Sequence, residues 1–119
     1  MKTIDLENLN QVITKFAEDR EWDQFHSVKN LSMALSVEGS ELAEIFQWMT
    51  EEQSNKIKEN PEVMTKIEDE VADVFVYLMR IMKKTDIDLE KVVLAKMKKN
   101  EAKYPVELSR GISKKYNEL

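Results

Sequence analysis

Two stretches, residues 31–52 and 62–84, set apolar side chains three and four positions apart over several turns, and neither contains a proline. That period gathers the apolar residues onto one face of a helix, whereas a strand would scatter them over both of its faces. Such a face has to be buried against another element. The rest of the chain agrees. It has two glycines and two prolines in 119 residues, and Leu, Ala, Glu, Lys and Met are plentiful, a composition that favours helices over strands. Leu6, Leu9, Val12, Ile13 and Phe16 mark a first helix from about Thr3 to Arg20. The aromatic and polar "EWDQFHSVKN", residues 21–30, reads as an ordered loop. A second helix runs from about Leu31 to Glu52 and a third from about Glu62 to Lys84, with Pro61 at the boundary or in the first turn. Asp86 or Asp88 supplies an N-cap for a fourth helix, from about Leu89 to Lys103, which stops before Pro105. The expected fold is all-α with an antiparallel four-helix bundle core. It forms one domain over residues 1–119, and its tail from about residue 106 is weakly patterned and expected to be mobile.

Composition narrows the function. With 42% hydrophobic and 34% charged residues, the chain can build a core and is not a disordered tract. It has no cysteine, which excludes disulfides, thiolate metal sites and a cysteine nucleophile. No apolar run approaches the roughly 18 residues needed to span a membrane, and "MKTIDLENLN" lacks the apolar segment of a signal peptide. A cytoplasmic protein without membrane partners is expected. The net charge of -5 argues against nucleic acid as a partner.

The chemistry begins with acids in the wrong place. On a helical wheel centred on Glu38, residues Leu31, Ala34, Leu35, Leu42, Ile45 and Met49 all fall within about 60°. Glu38 therefore occupies the middle of an apolar stripe, and Glu41 lies at its edge. Around Glu70 the same holds for Val63, Ile67, Val74, Tyr77 and Ile81, with Asp73 at the edge. Residues at i and i+3 are neighbours on one face. If the two helices pack antiparallel through these stripes, four carboxylates converge. Burying one unpaired carboxylate costs several kcal/mol, so a counter-charge is required. No basic residue occupies either stripe centre. An all-oxygen site suits a hard cation, so Mg²⁺ is expected, with Mn²⁺ as a substitute. Di-iron bundles use Glu-x-x-His pairs, and the single histidine, His26, lies outside both helices. Gly39, beside Glu38 in mid-helix, suggests close approach by another backbone or by a ligand. Glu44, Glu51, Glu52, Glu68 and Asp69 read as surface, with Glu44 and Asp69 placed to support the acidic group.

Aromatic and basic residues accompany the acids. Trp22 lies in the loop, Trp48 near the end of the second helix and Tyr77 one turn beyond Asp73. Each packs in a core or stacks on a base, and stacking contributes about 1–3 kcal/mol per base. Lys96, Asn100 and Lys103 share a face of the fourth helix that is either solvated or suited to phosphate. Acids, aromatics and lysines together suit a metal-chelated nucleoside phosphate. The residues leave three readings open: a hydrolase, a non-catalytic helical oligomer that binds or senses nucleotides, and a purely structural helical oligomer.

The chain resembles the MazG-like all-α nucleoside triphosphate pyrophosphohydrolases. The resemblance is carried by "FAEDREWDQFHSVKNL", "EGSELAEIFQW", "EDEVADVFVYL", "KMKKNEAKYPVEL" and "SRGISKKYNEL", and the E-x-x-E followed by E-x-x-D is the family's metal signature. It implies Mg²⁺-dependent cleavage between the α and β phosphates, giving a monophosphate and pyrophosphate, with dCTP or modified pyrimidine deoxynucleotides as substrates and nucleotide-pool housecleaning as the role. It makes Glu38, Glu41, Glu70 and Asp73 the metal ligands. It makes Trp22, Trp48 and Tyr77 the base pocket, with His26 nearby, and Lys96, Asn100, Lys103 and Tyr104 the phosphate and sugar contacts. Bound Mg²⁺ would activate the attacking water and neutralise charge on the phosphates. The resemblance also implies a homotetramer built from dimers, or a dimer. The stretch "MTEEQSNKIKENPEVMTKI" departs from the family pattern, which leaves the choice of base open.

Overall fold

The computed structural model describes residues 2–119. Among these residues there are helices and turns but no strand, so the all-α expectation holds. The four long helices are present as α1 (Leu6–Asp19), α2 (Val28–Phe46), α4 (Pro61–Thr85) and α5 (Leu89–Lys103). Two short helices, α3 (Glu51–Asn55) and α6 (Val106–Ser109), complete the set. The chain forms two compact units, the first ending at Thr85 and the second spanning Asp86–Leu119.

In the first unit, side chains placed at helix starts set the boundaries. The Asp5 carboxylate accepts from the Asn8 amide and opens α1. The loop expected at 21–30 is shorter than its composition suggests. It contains a 3-10 turn at Asp23–Phe25, and Ser27 then caps α2 by accepting from the Asn30 amide. A cap of this kind contributes about 1 kcal/mol, which is why α2 begins three residues before the apolar stripe. At its other end α2 stops at Phe46 rather than continuing to Glu52. The cause is a capping box. Thr50 accepts from the Gln53 amide, and the Gln53 side chain accepts from the Thr50 amide, which starts a new helix at Glu51. Asn60 accepts from the Val63 amide, and Pro61 is the first residue of α4, where its missing N–H costs nothing.

Helices α2 and α4 pack along each other and make the most extensive contact in this unit, with α1 against α4. Their direction follows from who meets whom. His26, before the start of α2, contacts Arg80 near the end of α4, while Glu38 and Glu70 meet midway. The pair is therefore antiparallel. Ala17, Leu31, Met79 and Met82 form the buried core, and Arg80 is buried among them. No described helix is long and apolar enough to cross a membrane.

The close backbone approach suggested for Gly39 is absent within the chain, because a Cβ placed there meets nothing within 4 Å. Gly39→Ala is accordingly expected to stabilise the protein by about 1 kcal/mol, read as a rise in the thermal midpoint. A fall would show that a second molecule packs against this turn.

In the second unit Asp88, not Asp86, caps α5 by accepting from the Lys91 amide. Asp86 instead turns the chain with a φ of 53°, a left-handed conformation that aspartate tolerates better than most residues. The tail carries α6 and a 3-10 turn at Tyr116–Glu118, separated by Gly111 at a φ of 78°.

Candidate active site

The stripe acids of α2 and α4 meet. Carboxylate oxygens of Glu38, Glu41 and Glu70 all lie within 4.8 Å of one another. Glu38 and Glu41 come from successive turns of α2, and Glu70 faces them from α4. Glu38 Oε2 and Glu70 Oε2 are buried without a hydrogen-bond partner. An orphaned buried acceptor costs about 1–3 kcal/mol, and more when it is charged. Burial, followed by contact with Glu41 and Glu70, pushes the Glu38 carboxyl up to about 7. Burial likewise raises Glu70, with the charges of Glu41 and Asp73 adding to the effect and contact with Glu38 opposing it.

Asp73 is not among the three tightly grouped acids. It lies one turn beyond Glu70 and, with Glu38, borders a cavity of about 450 Å³. The donor set fits a divalent cation on the chemistry of the residues themselves. It offers only oxygens, leaves two buried lone-pair sites empty, and has no Lys or Arg ion pair among the described residues. A hard cation satisfies all of these conditions together.

The cavity lies within the first unit. Val12 and Phe16 from α1, Trp22 from the loop that follows it, and Val76 and Tyr77 from α4 line it. The Phe16 and Trp22 rings meet edge to face at 5.6 Å between centroids. Trp22 also meets the His26 ring at 6.4 Å, so the wall is preformed. Tyr77 is raised above the usual phenol range by burial first and then by the charges of Glu38, Asp73 and Glu41, and it stays a neutral hydroxyl. Glu38 and Asp73 border this space, as do His26 and Arg80. Asp73 and Arg80 are seven residues apart on α4, about 10 Å along its axis. The cavity thus has acids toward one end, a basic group toward the other and aromatic walls between.

Arg80 was not singled out by the sequence reading. It is 3% exposed and donates from Nη2 to Asp23 Oδ1 at 2.9 Å and from Nε to His26 Nδ1 at 3.3 Å. Lys84 Nζ donates to the same Asp23 oxygen at 2.6 Å. The one available signal was an arginine inside the apolar run "YLMRIM".

The remaining expected contacts are placed as follows. Trp48 sits in the turn after α2, is 89% exposed, and is not among the residues lining the cavity. Lys96, Asn100, Lys103 and Tyr104 belong to the second unit, on α5 and at its C-cap. There Lys96 borders a shallow groove with Val92, Val93 and Met97. Lys103 Nζ lies 4.8 Å from the Tyr116 ring centroid, and Tyr104 meets the same ring edge to face at 6.2 Å. Tyr116 is thus a tail partner that periodicity did not reveal.

Known proteins resemble this chain. Residues 33–119 match the MazG-like family. The dCTP pyrophosphatase 1 of Bos taurus is 39% identical over 114 residues, covering 96% of this chain and 68% of that protein. The Homo sapiens dCTP pyrophosphatase 1 is also 39% identical, over 96% of this chain and 67% of its own length. The crystal structure of a pyrophosphatase from Archaeoglobus fulgidus superposes with a TM-score of 0.78 at 34% identity, covering 88% of this chain and 96% of that one.

Proposed function

The chain belongs to the MazG-like family, and from that premise we propose that it is a Mg²⁺-dependent pyrophosphohydrolase cutting between the α and β phosphates of a nucleoside triphosphate. Its class is that of a nucleoside triphosphate pyrophosphatase, as for its dCTP pyrophosphatase relatives. The finer parts of the proposal are dCTP or a modified pyrimidine deoxynucleotide as substrate, a monophosphate and pyrophosphate as products, and clearance of unwanted nucleotides as the role. The observation that carries it is the grouping of Glu38, Glu41 and Glu70, with two orphaned oxygens, beside an aromatic cavity that also contains Asp73.

In this reading Glu38, Glu41, Glu70 and Asp73 hold Mg²⁺, with Mn²⁺ as a substitute. Bound there, Mg²⁺ would supply Lewis-acid neutralisation of phosphate oxygens and acidify the attacking water. The protein does the rest. Glu38, raised to about 7, would give up its proton on becoming a ligand, because carboxylates ligate in the ionised form. Phe16, Trp22, Val76 and Tyr77 exclude water from the base and offer it flat apolar faces. Exposed apolar side chains in the first unit, among them Met33, Val37, Trp48 and Val71, support assembly into a homodimer or a tetramer of two dimers.

The test is pyrophosphate release from a panel of canonical and modified ribo- and deoxynucleoside triphosphates, with Mg²⁺ or with EDTA. Release that requires Mg²⁺ and favours a pyrimidine deoxynucleotide is expected. Nucleotide binding without release from any substrate would replace hydrolysis with the sensing role.

A further inference from the structure

Among the described residues Arg80 is the most buried charged one, and no step assigned so far uses it. A buried guanidinium is costly unless its donors are matched to acceptors. Two acceptors are supplied from the loop before α2, more than fifty residues away in sequence, by Asp23 and His26. Asp23 is ionised, held below the usual carboxylate range first by its bond from Lys84 and then by Arg80. Two cations therefore share one anion, and a net positive charge faces the imidazole. The charged groups facing His26 are Arg80 and Lys84 on α4 and Asp23 in the 3-10 turn. Trp22 packs against its ring.

The chemistry of the bond to His26 has one solution. Arginine has donors only, so Nδ1 of His26 must be the unprotonated nitrogen. In a neutral imidazole the proton then sits on Nε2. Protonating Nδ1 as well would turn its N–H toward the arginine. Burial and Arg80 both push the histidine below its ordinary value, in keeping with this arrangement. His26 lines the cavity, and with Nδ1 engaged by Arg80 the other ring nitrogen is the one left to donate to a ligand.

We infer that Arg80 is a positioning residue that locks His26 as the neutral Nε2–H tautomer, so that His26 donates a hydrogen bond to a carbonyl oxygen of the bound nucleobase. This rests on the pyrophosphatase reading and deepens it, since it assigns a polar determinant to an otherwise apolar base cavity. A pocket built to donate one hydrogen bond rejects bases lacking the matching acceptor far better than an apolar pocket sorts them by size.

The chain has a single histidine, so long-range ¹H–¹⁵N correlation spectra of the imidazole need no assignment. In the wild-type protein without nucleotide, the spectrum is expected to show the Nε2–H tautomer and to persist unprotonated below the ordinary histidine pKa of about 6.5. Arg80→Lys keeps the charge but loses the directed Nε–H donor. It is expected to give mixed tautomers and a KM raised about tenfold, equivalent to about 1.4 kcal/mol, with kcat unchanged. His26→Gln retains a side-chain N–H donor and should keep most of the affinity, while His26→Ala should lose it. The Nδ1–H tautomer in the wild type overturns the inference without any variant, which covers the case of Arg80→Lys failing to fold. Hydrolysis with both tautomer and KM unmoved in Arg80→Lys overturns this inference alone. Absence of hydrolysis of any nucleoside triphosphate overturns the proposed function and this inference with it.

Discussion

Glu38→Gln is expected to reduce pyrophosphate release by at least about a hundredfold while raising the melting temperature of the metal-free protein. Both effects come from one feature. Glu38 Oε2 is buried without a partner among Glu41, Glu70 and Asp73. Without a cation the glutamate must hold a proton or repel its neighbours. A glutamine amide does neither, because its N–H groups donate to the facing carboxylates and its charge is zero. The same change removes one anionic ligand. Even groups that only support ligands cost 10–100-fold in metal affinity or activity when lost, so losing a ligand itself costs more. A site that is unstable when empty and active when filled is the usual trade between stability and function. Asp73→Asn provides the contrast. Asp73 is exposed and its charge adds only secondarily to the rise at Glu38 and Glu70, so this variant should also lose turnover but raise the metal-free melting temperature much less. The measurements are thermal denaturation in EDTA at pH 8 and pyrophosphate release in Mg²⁺. Full activity in Glu38→Gln would remove Glu38 from the metal-binding set. A lower metal-free melting temperature would mean that its carboxylate already has a stabilising partner.

The meeting of Glu38, Glu41 and Glu70 was legible because it depends only on local periodicity. Acids centred on two apolar stripes must face each other once the helices pair, and antiparallel pairing follows from short connections. Asp73 was legible as a neighbour but not as the outlier of the group. Asp73 stands three residues beyond Glu70, about 60° short of a full turn, and borders the cavity while lying outside the group. The end of α2 is not legible in the sequence, because the apolar pattern runs on through Trp48 and Met49. Local hydrogen bonding of Thr50 and Gln53 overrode that pattern and left Trp48 in a turn. The role of Arg80 was not legible at all. Its partners Asp23 and His26 lie 57 and 54 residues away, and neither spacing nor composition connects them. Helices and their faces are properties of neighbours in sequence, whereas the basic end of the cavity exists only after α4 has packed against the loop preceding α2.

The stability of the metal-free protein is expected to fall as the pH rises from about 5 to about 8, and Mg²⁺ is expected to remove most of that fall. The sign follows from the Glu38 carboxyl, whose value rises from 4.5 to about 7 in the folded chain. Between those values the folded state binds the proton and the unfolded state does not. Stability therefore decreases as pH rises through this window; Glu70 shifts in the same direction, while His26, lowered by burial and Arg80, opposes them at the acid end. Asp23 behaves oppositely. Its value is lowered by Lys84 and Arg80, so the stability it contributes is present at neutral pH and lost only under acid conditions, outside this window. Mg²⁺ competes with the protons for the same oxygens. It should raise the melting temperature little at pH 5, where Glu38 is protonated, and most at pH 8. At a hundredfold excess over its dissociation constant, a ligand specific to the folded state adds about 2.7 kcal/mol. Turnover in Mg²⁺ should rise with pH to a plateau, with an apparent midpoint below 7 because the cation draws the protons off. Melting curves from pH 5 to 8, in EDTA and in Mg²⁺, decide the matter. A Mg²⁺ effect of equal size at every pH would place the ion on groups already ionised and away from Glu38. The same curves for Glu38→Gln separate this carboxyl from the general charge of an acidic chain, since only the part of the slope that Glu38 causes disappears with it.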